Sequence, residues 1–171
     1  MLTQADAAGR PWRRVLAVDT STERLEVALG AAGPGAPGSG CWHHQGPGGP
    51  QASTQLIPAI TDLLAQAGWA LDSLDAIAVG VGPGSFTGLR TACAVVQGLA
   101  YAARPGGVPV LPVPTLLAVA EEARWQREQK GGGATTDVWA AIDARMDEIY
   151  LARYRWQAVG ARWDTVVAPG L

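Results

Sequence analysis

The sequence has little that would serve redox, membrane or general nucleic-acid chemistry. Among 171 residues there are two cysteines, Cys41 and Cys93, far apart and in no metal or redox spacing. That excludes a disulfide framework and fits a reducing compartment. The two histidines, His43 and His44, are neighbours in a Gly/Pro-rich stretch, whereas a zinc pair such as HExxH needs both imidazoles on one helical face, so no metal is expected. No uncharged run reaches the ~18 apolar residues of a membrane span. Asp6, Arg10, Arg13 and Arg14 interrupt the start, where a secretory segment would be apolar. Nor is there an excess of basic charge: 13 Lys and Arg against 15 Asp and Glu leave a net −2, too little to grip a nucleic-acid backbone by general basicity. The chain is expected to be soluble and cytoplasmic, without membrane contact. What it does have is 48 % hydrophobic and 16 % charged residues, enough for the packed core of about one domain.

Residues 1–14 carry no periodicity and read as a loose extension. Val15 to Asp19, the polar run Thr20-Ser21-Thr22, and Leu25 to Leu29 predict strand, turn and strand. Residues 30–51 hold eight Gly and four Pro among 22, predicting a flexible loop with at most a short strand over 41–44. A helix is predicted over 53–67, capped by Ser53 and stopped by Gly68, with Leu56, Ile60 and Leu63 on one face. A strand over 76–81 leads through Gly82-Pro83-Gly84 into a helix capped by Ser85 and running to Ala103. A strand over 108–113 and a helix from Thr115, which would cap it, to Gln129 follow. Gly131-Gly132-Gly133 marks a boundary, and three strand-like runs, 138–143, 149–156 and 162–167, close the chain with no helix of their own to cover them.

The Gly-rich turn GPGSFTGLR (residues 82–90) before a helix is the kind of segment that cradles phosphate. It fails as a P-loop, because Leu89-Arg90 stand where Lys-Ser/Thr is needed. It fails as GxGxxG, because Gly88 lies one residue too far. It fails as GxSxG, because Pro83 and Thr87 flank Ser85 at the wrong places. A tight strand-to-helix turn with a Ser cap remains the structural alternative. Asp19-Thr20-Ser21 between two strands is similar to a phosphate hairpin in which an acid holds a metal-bound water, or else it is a turn of turn-forming residues. Asp143, Arg145, Asp147, Glu148 and Tyr150 cluster as a polar hairpin turn.

The helix after Ser85 carries no charge from Thr91 to Ala103. A surface helix shows one polar face, so this one is either enclosed in its own domain or half covered by the sheet and half by a partner. Ala94, Gly98 and Ala102 make a smooth stripe that a second helix could approach. Together with Thr91 and Val95, and with Leu56, Ile60 and Leu63 on the flanking helix, they are the expected partner interface.

Residues 15–30 (VLAVDTSTERLEVALG), 71–102 (LDSLDAIAVGVGPGSFTGLRTACAVVQGLAYA), 110–120 (VLPVPTLLAVA) and 140–154 (AAIDARMDEIYLARY) closely resemble the TsaB family. GPGSFTGLR is the most specific match, and DARMDEIY is independent of it. The resemblance implies an α/β fold of actin/Hsp70-like (RNase H-like) type, with a mixed five-stranded sheet, helices on both faces and the first strands of an incomplete second lobe. The first lobe would be residues 15–130 and the second would begin at 134–171. It further implies a non-catalytic accessory subunit that pairs with TsaD, joined by TsaE, in threonylcarbamoyl transfer to the adenosine beside the tRNA anticodon. In that reading the chain has no catalytic residue, metal or cofactor of its own. ATP and metal belong to TsaD and TsaE, tRNA is met only through the complex, and the first-lobe helices can also form a homodimer. Asp19, Thr20, Ser21, Gly82, Gly84 and Ser85 would then be vestigial phosphate-facing loops.

Three departures from the family pattern stand out. Ala52-Ser53 occupies the place of the usual His-Ser or His-Thr pair, the 30–51 stretch is unusually rich in Gly and Pro, and the chain reads as C-terminally truncated at Leu171. The alternative function is the nucleotide-binding lobe of a small-molecule kinase or ATPase of the same superfold, using Asp19 and the 82–85 turn.

Overall fold

The structure, a computed structural model, describes residues 12–31, 40–132 and 137–171; most of the expected N-terminal extension lies outside the described residues. β1 (Arg14–Asp19) and β2 (Arg24–Ala31) form an antiparallel hairpin, and β3 (Cys41–Pro47) adds to β2. β4 (Ala76–Gly80) pairs parallel to β1, and β5 (Val110–Val113) parallel to β4. The order β3-β2-β1-β4-β5, antiparallel on one side and parallel on the other, is the mixed five-stranded sheet of the RNase H-like and actin/Hsp70-like folds. Alternation produces its two faces: Leu16, Val18, Leu25, Val27 and Leu29 are buried, and the residues between them less so.

The 30–51 stretch is corrected in part. Instead of at most a short strand it carries all of β3 and a 3₁₀ turn over Gly49–Gln51, while residues 32–39 lie outside the described ones. Cross-strand contacts outweigh the Gly/Pro composition there. Trp42 meets Trp69 edge-on at 5.2 Å, and Glu26 takes the Gln45 amide at 2.6 Å on one oxygen and lies 2.6 Å from His43 Nε2 on the other.

α1 (Ala52–Ala67) and α2 (Phe86–Ala103) cover the apolar face. Leu56, Ile60 and Leu63 bury against the sheet, and each such side chain contributes about 1.5–3 kcal/mol. Their sum exceeds the ~3 kcal/mol that a proline such as Pro58 costs inside a helix. Gly68 ends α1 in the left-handed conformation, φ 64°, as predicted. Ser53 does not cap it: the helix begins one residue earlier, and the Ser53 hydroxyl donates to the Pro50 carbonyl at 3.0 Å. On α2, Gly88, Ala92, Val96 and Ala100 form the buried stripe, small enough to seat the helix close to the strands.

The described chain divides into two compact units, and the division corrects the expected boundary after residue 130. One unit runs to Val81 and resumes over Ser85–Val113; the other takes Gly82–Gly84 and Pro114–Leu171. α3 (Thr115–Gln129) therefore groups with β6 (Asp137–Arg145), β7 (Glu148–Gln157) and β8 (Arg162–Gly170), an antiparallel sheet in the order β6-β7-β8. Leu116 and Ala120 pack on Ala140, Ala152 and Tyr154. The three strands, expected to be uncovered, have this helix on one face. Thr115 is not the cap: Pro114 takes that position and the Thr115 hydroxyl is buried without a partner.

Arg124 ties α3 to this sheet. Its guanidinium forks onto Glu121 at 2.7 and 2.8 Å, reaches Glu128 at 2.7 Å and stacks over Trp156 at 4.4 Å, while Trp163 Nε1 donates to Glu121 at 2.8 Å. Hydrogen bonding to Arg124, aided by Trp163 and opposed by burial, holds the Glu121 carboxyl below its ordinary range. A carboxylate lowered on folding stabilises fully above the ordinary glutamate pKa of about 4.3 and loses that contribution as pH falls through the lower folded value. Thermal midpoints followed from neutral pH into acid should drop less steeply for Glu121→Gln than for the wild type; parallel curves would show that the pair does not contribute. The Tyr154 hydroxyl is buried with no partner, and Tyr154→Phe is expected to leave the midpoint unchanged or raise it, since an unsatisfied buried hydroxyl costs about 1–3 kcal/mol.

Candidate functional site

Ser85, at the N-terminus of α2, meets the turn that follows β1. Ser21 donates its backbone N–H at 2.8 Å and its hydroxyl at 2.5 Å to Asp19 Oδ1, closing the turn after β1. Ser85 N–H donates to the Ser21 carbonyl at 2.6 Å, and the Thr20 hydroxyl to the Gly88 carbonyl at 2.7 Å. The Ser85 hydroxyl caps α2 by accepting from Gly88 N–H at 3.3 Å, as the sequence predicts. Thr20 and Ser21 are buried. The Thr20 hydroxyl, the Ser21 hydroxyl and N–H, and the Ser85 N–H are thus engaged inside the protein. Gly82 and Gly84 group with the other unit, where the Gly82 carbonyl accepts from Thr115 N–H at 2.9 Å.

Two glycines allow this junction. A Cβ on Gly88 would overlap the Thr20 carbonyl oxygen, and one on Gly80 would overlap the Asp19 carboxylate. The polar cluster at 143–150 is the turn between β6 and β7. Arg145 N–H donates to Asp143 at 2.7 Å, and Arg145, Met146 and Asp147 all have positive φ. Among the described residues no three His, Cys, Asp or Glu are grouped to hold a metal, and no helix is long and apolar enough to cross a membrane.

The expected partner surface divides. Ala94, Gly98 and Ala102 are exposed on α2, and a Cβ on Gly98 would meet nothing within 4 Å. Thr91 and Val95 are half-buried, Val95 against the core. Leu56, Ile60 and Leu63, at 0, 2 and 2 % exposure, are not available to a partner. This is a correction with a simple cause: the apolar stripe of α1 is the one its own sheet takes. Three further residues on the exposed arc of α2 were not singled out. Phe86 is 67 % exposed, Tyr101 is 88 % exposed, and Arg90 lies with its guanidinium 3.9 Å from the centre of the Phe86 ring. At 100° per residue they share the arc of Ala94, a signal present in the sequence.

A family model described as TsaD, tRNA N6-adenosine threonylcarbamoyltransferase, matches residues 49–170. The Escherichia coli (strain K12) tRNA threonylcarbamoyladenosine biosynthesis protein TsaB is 41 % identical over 144 residues, which is 83 % of this chain and 55 % of that protein. The chain belongs to the TsaB family. TsaB from Haemophilus influenzae is 37 % identical over 139 residues, 81 % of this chain and 52 % of that one. The solved structure of YeaZ from Pseudomonas aeruginosa superposes with a TM-score of 0.75 at 39 % identity, covering 92 % of this chain and 66 % of that one. This TsaB-family chain spans about half the length of the curated relatives it matches. Those relatives are named as proteins of tRNA threonylcarbamoyladenosine biosynthesis.

The Thr20–Gly88 contact can be tested directly. An ordinary mid-helix Gly→Ala change stabilises by about 1 kcal/mol, but Gly88→Ala must push the Thr20 carbonyl away and is expected to destabilise by about 1–3 kcal/mol. A thermal midpoint that rises in the variant would show that the junction yields freely.

Proposed function

We propose that this chain is a non-catalytic accessory subunit that pairs with TsaD, and with TsaE, in threonylcarbamoyl transfer to the adenosine beside the anticodon of tRNA. The observation that carries this reading is the exposed face of α2. From Phe86 to Ala102 it shows aromatic, small and uncharged side chains with Arg90 as the single charge, a composition suited to protein contact. The engaged donors of the Asp19–Ser21 and Ser85 loops support it from the other side, because a nucleotide-binding lobe would need them free to face phosphate. ATP and metal are then the business of TsaD and TsaE. The tRNA is met through the assembled complex in the cytoplasm.

Gly98→Arg tests the surface. Gly98 is exposed with open space around it, so the variant should keep its circular dichroism spectrum and thermal midpoint. An unpaired guanidinium trapped at a contact costs several kcal/mol, so capture of TsaD should fall by two orders of magnitude or more. With it should go the tRNA modification reconstituted from the chain, TsaD and TsaE. Undiminished capture and modification would move the partner surface elsewhere.

A further inference from the structure

We infer that Arg90, held on the Phe86 ring, is the receptor for one carboxylate of TsaD and so determines which protein this face of α2 accepts. The inference rests on the reading of this face as the TsaD surface and adds the group that TsaD must present to it. Phe86 and Arg90 stand about one turn apart on α2, both exposed, and the Arg90 guanidinium lies 3.9 Å from the centre of the Phe86 ring. Among the described residues Arg90 makes no hydrogen bond or ion pair. The ring occupies one side of the guanidinium and leaves its N–H donors unspent. It also restrains a long side chain in advance, so less freedom is lost when an acceptor arrives.

The surroundings select the acceptor. Arg90 is the single charged residue of α2, and α1, which packs beside it, has Asp62 as its single charge. A nucleic-acid backbone is gripped by several cations together, and these two helices offer one. The exposed neighbours Phe86, Thr87 and Ala94 are uncharged. A protein that covers them strips water from Arg90, and a guanidinium desolvated without an acceptor is strongly unfavourable. A carboxylate matches the guanidinium fork, two oxygens against two N–H groups. The positive N-terminal end of α2, with no acid in its first turn, favours the same sign of charge. A partner with a basic or apolar group at this point would leave the cation unanswered, so Arg90 discriminates between partners as well as binding one.

Capture of TsaD by the full chain, followed over a range of salt, tests this. Arg90→Gln should keep the fold by circular dichroism, weaken capture about tenfold or more, and flatten its dependence on salt. Arg90→Lys keeps the charge without the fork and should fall between Arg90→Gln and the wild type. Phe86→Leu removes the ring and keeps apolar bulk. It should weaken capture in the wild type and have less effect in Arg90→Gln, because both changes remove one contact. Arg90→Glu should lose capture, and replacing the Asp and Glu residues of TsaD by Arg one at a time should restore it at one position. Undiminished capture by Arg90→Gln overturns the inference. So does a loss in Arg90→Glu that no replacement in TsaD restores. If Arg90→Gln spares TsaD capture and weakens tRNA binding by the assembled complex, the acceptor is a phosphate and the inference is overturned as well. If Gly98→Arg abolishes TsaD capture while Arg90→Gln does not, the accessory-subunit reading stands and only the carboxylate contact is lost.

Discussion

The Thr20 carbonyl rests against the bare Cα of Gly88 while the Thr20 hydroxyl donates to the Gly88 carbonyl. This reciprocal contact sets the first turn of α2 against the end of β1. It fixes where the helix starts, and so which stripe of α2 turns to the sheet. With Gly88, Ala92, Val96 and Ala100 inward, the outward arc is settled by the 3.6-residue period alone. The Thr20 hydroxyl, the Ser21 hydroxyl and N–H, and the Ser85 N–H are all used in holding this junction together.

The second unit depends on a different kind of interaction. Its small core of Leu116, Ala120, Ala140, Ala152 and Tyr154 is supplemented by Arg124, which is nearly buried and satisfied by two glutamates and an indole face. A long amphipathic side chain of this sort lends packing area as well as charge. It explains how the lower half of α3, which reads as polar, still adheres to the strands. The cross-strand rings of Tyr154, Trp156 and Trp163 continue the same surface.

The charge-free stretch of α2 admitted two readings, a helix enclosed in its own domain or one shared with a partner. Burial excludes enclosure within the described chain: Gly88, Ala92, Val96 and Ala100 face the strands, while Ala94, Gly98, Tyr101 and Ala102 face outward with nothing from the described chain over them. An apolar outer arc of this kind does little for the stability of the lone chain.

Local chemistry made much of the fold legible. Alternation in β1 and β2, the Ser85 cap, the left-handed Gly68 and the 3.6 period of the helices each depend on near neighbours, and each could be read from residue order. The motifs GPGSFTGLR and DARMDEIY carried the family in the same way. Tertiary structure decided what near neighbours do not encode. β3 orders in a Gly/Pro-rich stretch because β2 offers it a ladder and Trp69 a ring. The caps expected from Ser53 and Thr115 are displaced because both residues lie inside helices that begin earlier, after Gln51 and Pro114. The Leu56, Ile60 and Leu63 stripe was assigned to a partner because an apolar face looks the same in sequence whether its own sheet or another protein covers it. Only the packed sheet shows which face is already occupied, since burial depends on residues far apart in the chain and close together in space.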